Sequence, residues 1–422
     1  MKIKSIKKID YKEDVYNLHI KDNHNYFANN HCVSNCHEFD DVMSDFISIK
    51  ITEASIKRLK FTNEYDIIKK LSSVKDIESY IIYLKYLSGE IIETVSAIEN
   101  SMGINRNATA DKRDLKISKI TGSVNDDLRT MQIIADLKQY QVKIDVFLKE
   151  YEENKNNWVL EKSFNEKTKQ FEYSLEPIWA YDYLNKYVWS KYDMVILMSG
   201  TILNKKIFCD LNGIDTAKSA YYSMPSPFDV KNRPIYYMPV GKMSFTKKEE
   251  TFKNYVPMIE KILNKYKGKK GIIHTNSFEL SEWIKKDISN SRLIFHTSED
   301  KNEALQNHFD SNDDSVIVSP SMSTGVSFDH DKSRFQIIAK IPYPSLASQK
   351  NKLRQKNNPD WYSWKTIAEL LQMAGRSIRS KTDHADTIII DGSFSDVLKY
   401  SSHFIPNWVQ ESIRKIEVKT HS

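Results

Sequence analysis

From about Glu176 onward, short apolar runs alternate with longer segments of helical spacing, and this alternation constrains the fold more than any other feature. The runs are MVILM (194–198), GIIH (271–274), RLIF (292–295), VIV (316–318), QIIAKI (336–341) and TIII (387–390). A strand that is apolar without interruption is buried on both faces, as strands of parallel sheets are. Helices are expected between them, for example over 247–266, 278–287 and 364–379. Such strand–helix alternation predicts an α/β fold, an open parallel sheet covered by helices.

The upstream texture differs. Between about Ile51 and Glu153, apolar residues recur at helical spacing, first through Ile77, Ile81, Leu84, Leu87, Ile91 and Ile92. A second stripe runs through Leu128, Met131, Ile134, Leu137, Val142, Ile144 and Phe147. The polar stretch NRNATADKRD (105–114) between them is expected to be an exposed loop, and the whole a mostly helical insert. Residues 1–35 alternate polar and apolar positions, which suits short strands. At 422 residues, two or three domains are expected. No run of about 18 apolar residues offers a membrane span. The basic start, MKIKSIKKIDYKEDVY, lacks the apolar core of a signal peptide. Three cysteines in a chain of this length argue against a disulfide scaffold and for a reducing, cytoplasmic setting. A net charge of +6 suits a polyanionic partner but does not single one out.

Two constellations carry chemistry. In DNHNYFANNHCVSNC (22–36), Asn35 precedes Cys36. The Asn35 side-chain amide can attack its own backbone carbonyl, closing a succinimide and releasing the chain that follows. The Cys36 thiol can accept an acyl group and pass it to its own amine. His24 is placed to protonate or polarise the scissile amide. His31, Cys32, Cys36 and His37 also suggest zinc, but structural zinc sites usually draw ligand pairs from separated segments. The stretch KEDVYNLHIKDNHNYFANNHCVSN resembles the C-terminal splicing blocks of split inteins of the Hedgehog/intein fold. That resemblance places Asp22 and His24 in the block assisting acyl transfer, Asn35 as the cyclising residue and Cys36 as the first residue of the retained chain. Ser34 stands where the family commonly has His. The family's N-terminal blocks are missing, so the resemblance implies splicing in trans, to a partner carrying an N-terminal split-intein fragment.

The second constellation lies downstream. Gln372, Arg376 and Arg379 in LLQMAGRSIRS (370–380) recur at i, i+4 and i+7, so a helix would present them on one face. Two guanidiniums together suit the spread charge of a transferring phosphoryl group. Gly375, costly inside a helix, suggests close backbone approach there. This run resembles motif VI of superfamily-two helicases of the XPD/DinG type. MVILMSGTIL (194–203), ending in Ser199-Gly200-Thr201, resembles motif III, and GIIHTNSF (271–278) resembles motif IV. SPSMSTGVSFD (319–329) resembles motif V, with Gly325 matching and Ser327 in place of the usual acidic residue; whether Asp329 substitutes for it stays open. IAKIPYPS (338–345) and PSPFD (225–229) resemble the family as well.

The resemblances together imply a definite architecture. A short all-β intein fragment (1–35) is followed by the end of a Walker B region (36–50). A helical Arch-like insert (51–165), a return to a first RecA-like lobe with motif III (166–204) and a second lobe (205–422) complete it. The family's Walker B box is Asp-Glu-x-His, so a partner ending in Asp-Glu would complete it with Cys36 and His37. No GxxxxGK[ST] phosphate cradle occurs in the chain. ATP and Mg²⁺ would therefore be bound largely by the partner half, with no metal held by this chain. Ser199, Gly200, Thr201 and Gly325 would couple nucleotide state to lobe movement, and single-stranded DNA would be the track. Thr275, Ser277, Trp361 and Tyr362 would contact nucleic acid, although the helix beginning near Trp361 and Trp364 can instead bury at least one of these aromatics. An iron–sulfur cluster, found in many relatives, would lie outside this segment, on which the sequence is silent. The alternatives are a non-catalytic nucleic-acid-binding subunit with an inactive intein remnant, or a nuclease. The nuclease lacks a carboxylate cluster of metal-binding spacing.

Overall fold

The computed structural model describes residues 25–28, 31–35, 39–61, 63–101, 126–165, 170–322 and 326–417. The first elements are a hairpin, β1 (Asn25–Ala28) and β2 (His31–Asn35), then helix α1 (Phe39–Ile47). The insert follows with β3 (Ile49–Thr52), α2 (Glu53–Leu59), α3 (Glu64–Ser72), α4 (Ile77–Ser101) and α5 (Asp126–Glu153). It closes with β4 (Trp158–Asn165) and β5 (Gln170–Pro177). The chain returns through α6 (Tyr181–Tyr187), β6 (Val195–Met198) and α7 (Lys205–Leu211).

The two long helices fall on the two apolar stripes, and α4 and α5 pack against each other. Ile134, Leu137, Ile144 and Phe147 are buried between them. Ile92, Met131 and Val142, counted in the stripes, instead face outward. They sit between the core positions of the 3.6-residue period, so apolar character alone misplaced them. The insert also holds an antiparallel sheet of order β3-β5-β4, which helical spacing did not foretell. Thr52 and Ser55 form a reciprocal capping box that turns β3 directly into α2. The loop expected at 105–114 lies outside the described residues.

The second lobe is a seven-stranded sheet, every neighbouring pair of which is parallel. Its elements are β7 (Ile235–Gly241), α8 (Lys248–Lys265), β8 (Gly271–His274), α9 (Phe278–Asp287), β9 (Leu293–Phe295) and α10 (Lys301–Asp310). Next come β10 (Val316–Ser319), β11 (Phe335–Ile338), α11 (Gln349–Asn357), α12 (Pro359–Ala374) and β12 (Asp386–Asp391). Helices α13 (Phe394–Tyr400) and α14 (Asn407–Gln410) precede the last strand, β13 (Ile413–Lys415). The order β13-β7-β12-β11-β8-β10-β9 puts β8, β10 and β11 in the interior, where all four residues of each are buried. Close approach is built in at Gly271, where a Cβ would stand 2.5 Å from the Phe335 ring. Strand β11 stops at Ile338, three residues short of the apolar run, because the chain bends off toward Pro342 and Pro344.

Two histidines are sealed in this lobe. His274 ends β8, and burial, reinforced by the positive charge of Arg376, lowers its pKa to about 4. His308 accepts from the Ser315 hydroxyl through Nδ1 (2.9 Å) and donates from Nε2 to the Lys332 carbonyl (2.8 Å); burial lowers its pKa to about 4 as well. Both stay neutral in the folded protein, whereas an unfolded histidine titrates near ~6.5. Their contribution is thus fully present above pH ~6.5 and disappears as pH falls toward the folded pKa, roughly 3 kcal/mol per histidine at most. Denaturant midpoints are expected to fall between pH 7 and pH 5, and His274→Gln with His308→Gln is expected to flatten that slope. Parallel slopes for variant and wild type would refute the assignment.

Candidate nucleotide-responsive cleft

A cleft of 2690 Å³ opens beside β6 and is lined by 194–203, by 221–228 and by residues of the 371–379 segment. Its wall brings together motifs remote in sequence. Ser199 and Thr201 hydroxyls lie 3.1 Å apart, and the Thr201 amide donates to Ser199 Oγ (3.2 Å). Gln372 Nε2 then donates to Thr201 Oγ1 at 2.7 Å, and Arg376 Nη2 reaches Gln372 Oε1 at 3.5 Å. Arg376 Nη1 donates to the Val326 carbonyl (2.8 Å), while its own carbonyl accepts from the Phe328 amide (3.0 Å). One polar chain therefore runs from Ser199 through Thr201, Gln372 and Arg376 to Val326.

The helical-face reading of this segment is corrected. Helix α12 spans Pro359–Ala374, starting and stopping five residues earlier than expected. Asn358 caps its first turn by accepting from the Trp361 amide (3.1 Å), and Pro359 presets the first helical turn. Gly375 is the C-cap, so Arg376 and Arg379 lie beyond the helix in a turn. Gly375 thus ends a helix; a Cβ there would sit 3.2 Å from the helix's own Leu371 carbonyl, and no outside group closes on it. The turn separates the two arginines by environment. Arg376 is buried and committed to the polar chain, whereas Arg379 is exposed at the cleft. Asp383, overlooked in the sequence, holds the turn: its buried carboxylate accepts from the amides of His330 (3.1 Å) and Arg379 (3.3 Å) and from Arg334 Nη1 (2.8 Å). Gln336, also overlooked, donates to the Ala374 carbonyl (2.7 Å) at the end of α12. Neither carries a spacing signal.

Two residues assigned to nucleic acid, Thr275 and Trp361, are placed otherwise. Thr275 is fully buried, its hydroxyl 2.7 Å from that of Ser281, which removes its side chain from any ligand-facing surface. Trp361 is core, edge-on to Trp179 and beneath the Arg354 guanidinium. Trp364 is buried too and donates from its ring nitrogen to the Ile202 carbonyl (2.9 Å). Amphipathic α12 needs a buried face, and these indoles supply it. Tyr362 is half-buried and stacked on Tyr343 (5.7 Å, 12°), and Ser277 N-caps α9. Asp329 is engaged by Lys332 at 2.9 Å. Asp22, His24, Cys36, His37 and Gly325 lie outside the described residues, as do Cys36 and His37 of the zinc alternative. Asn35 is the last residue of β2 and Gly200 lies in the turn after β6.

Helix α1 is firmly held from its first turn. Asp40 pairs with Arg354 Nη1 (2.6 Å) and accepts from the Ala180 amide (3.2 Å). Asp41 pairs with Lys365 (2.7 Å), and Lys350 reaches the Ser44 hydroxyl. Arg354 also donates to the Ile178 carbonyl and lies over the Trp179 and Trp361 rings. An arginine this buried is tolerated only with its partners in place. It pins α1, the return from the insert and the second lobe at one point.

Among the described residues, no group of three or more His, Cys, Asp or Glu could hold a metal, and no helix is long and apolar enough to cross a membrane.

Residues 259–412 match the family model described as helicase C-terminal domain. Three solved XPD structures are similar to this chain in fold. An apo XPD structure is similar over 91% of this chain and 76% of that chain, with 17% identity and a TM-score of 0.52. A second XPD helicase structure matches 91% of this chain and 67% of that one (16% identity, TM-score 0.51). Xpd4 from S. tokodaii matches 90% and 74% (13% identity, TM-score 0.53). Likeness at these identities defines the fold, an XPD-type arrangement around a RecA-like lobe.

Proposed function

We propose that this chain is the C-terminal half of an ATP-dependent DNA helicase, matured by trans protein splicing. The observation that carries the reading is the polar chain from Ser199 to Arg376, which joins the turn after β6 to the second lobe across an open cleft. A phosphoryl group bound there would meet the exposed Arg379, and any shift of Arg376 or Gln372 would be felt at Thr201. That is what coupling of nucleotide state to lobe movement requires.

The chain is incomplete for the chemistry. ATP fits the cleft only in part, because no glycine-rich phosphate cradle occurs in the sequence. Magnesium would neutralise phosphate charge there, and the Asp-Glu pair of the missing Walker B half would hold it. Both belong with a partner polypeptide bearing Walker A and ending in Asp-Glu. In the joining step, Cys36 Sγ takes the acyl group released from the partner's intein fragment. The Asn35 amide nitrogen then attacks the Asn35 carbonyl, the Asn35–Cys36 bond breaks, and the intein leaves as a succinimide. The freed Cys36 amine captures the acyl group from sulfur, giving a Glu-Cys peptide. His37 would then complete the Walker B box, and single-stranded DNA would pass between the lobes and the insert, held by phosphate contacts and stacking.

The test is direct. Purified 1–422 is expected to show no ATP turnover above background, with or without single-stranded DNA. The product joined to its partner is expected to turn over ATP at ordinary helicase rates. Turnover by the isolated chain, or a joined product inert toward ATP and DNA, would overturn the reading; the latter would favour a non-catalytic binding subunit.

A further inference from the structure

Strand β6 is built for a larger sheet than the one it occupies. Its sequence, VILM, is wholly apolar, like those of the interior strands of the second lobe. Yet Ile196 is 43% exposed and Met198 51%, where every residue of β8, β10 and β11 is buried. A parallel strand of this composition is ordinarily covered on both faces. One edge of β6 is paired with β2, in parallel, with Cys32 opposite Val195, Val33 opposite Ile196, Ser34 opposite Leu197 and Asn35 opposite Met198. The strand thus ends at the proposed splice junction, beside the Ser199–Thr201 turn.

We infer that the β6 edge is an exchange site. Residues 31–35 hold it in the unjoined chain, and the strand immediately preceding Cys36 in the joined product replaces them. This rests on the splicing reading for the identity of the second occupant. The geometry makes the replacement local. Helix α1 begins at Phe39 and is fixed by the Asp40–Arg354 and Asp41–Lys365 pairs. From Phe39 back to the residue before Cys36, the chain can reach at most roughly 14 Å. Whatever segment becomes attached to Cys36 must therefore end close to where β2 ends now. Only one strand can hydrogen-bond to that edge at a time, so the departing tail and the arriving strand compete for it. Until then β2 shields an apolar edge that would otherwise template pairing between molecules. The arriving segment is accordingly an apolar parallel strand, and its half also supplies the cover over Ile196 and Met198.

Hydrogen exchange on the full chain tests this. In a parallel pair successive amides point alternately to the two sides, so Val33→Pro with Ser34→Pro removes a donor toward β6 whichever way each faces. Amides of 195–198 are expected to exchange roughly tenfold faster or more in the double variant, the loss of one or two hydrogen bonds. Amides of 271–274 serve as the internal reference and are expected to be unchanged. Equal exchange at 195–198 in variant and wild type overturns the inference. In the joined product, from which 1–35 has been excised, 195–198 are expected to be protected at least as well as in the unjoined chain; loss of protection there also overturns it. If no joined product forms, the splicing reading fails, while the first comparison still decides whether β2 occupies the edge.

Discussion

Replacing both Asn35 and Cys36 by Ala is expected to abolish joining of this chain to its partner, leaving two unligated polypeptides by intact-mass spectrometry. The single changes separate the steps. With Asn35→Ala alone, Cys36 still accepts the acyl group, so a branched species should accumulate that cannot release the intein. With Cys36→Ala alone, no acyl group reaches the second half, and neither branched nor joined product is expected. Removing a nucleophile from a chemical step typically costs several orders of magnitude, so product should fall at least about a thousandfold. Ligated product from the double variant would refute the assignment of the junction. Ser34 gives the cyclisation step no imidazole next to Asn35, so His24→Ala is the natural companion variant for locating the proton donor.

The second large effect concerns the arginines past α12. In the joined protein, Arg379→Ala is expected to lower ATP turnover roughly 10³- to 10⁵-fold, the range found for guanidiniums that stabilise a transferring phosphoryl group. Arg379→Lys is expected to restore little, since an ammonium cannot reproduce a planar two-pronged contact. Thermal stability should barely change, because Arg379 is exposed. Arg376→Ala should behave differently. Its guanidinium supports the Val326 carbonyl and Gln372, so both turnover and the denaturation midpoint should fall. ATP turnover alongside a melting curve distinguishes the two. Arg379→Ala with near-normal turnover would remove this residue from the chemistry.

Much of the second lobe could be read directly from residue order. GIIH at 271–274 is β8 as expected, and TIII at 387–390 lies within β12. Helix α9 covers 278–287 as anticipated. Where the reading went astray, the missing information was local geometry or a distant partner. Gly375 offered a stop signal, but the arginine spacing suggested continuing the helix, and the structure shows the stop prevailed. The sheet β3-β5-β4 escaped notice because its strands carry Lys50, Glu161, Lys162 and Glu172, charges that look like solvated surface until Lys50 meets Glu172 across the pair. Thr275 resembled a ligand-facing hydroxyl and is instead satisfied inside by Ser281.

By itself the sequence determined the α/β class, the strands buried on both faces, the long helices of the insert and the Asn35–Cys36 pair. Each of these is written in contiguous residues, because burial periodicity and bond-forming neighbours are short-range properties. Only the tertiary structure decided which arginine is sealed and which is exposed, that Thr201 meets Gln372, that Asp40 pairs with an arginine 314 positions away, and that β6 pairs with β2. Those outcomes depend on which groups are desolvated together, a property of the packed chain that no local pattern encodes.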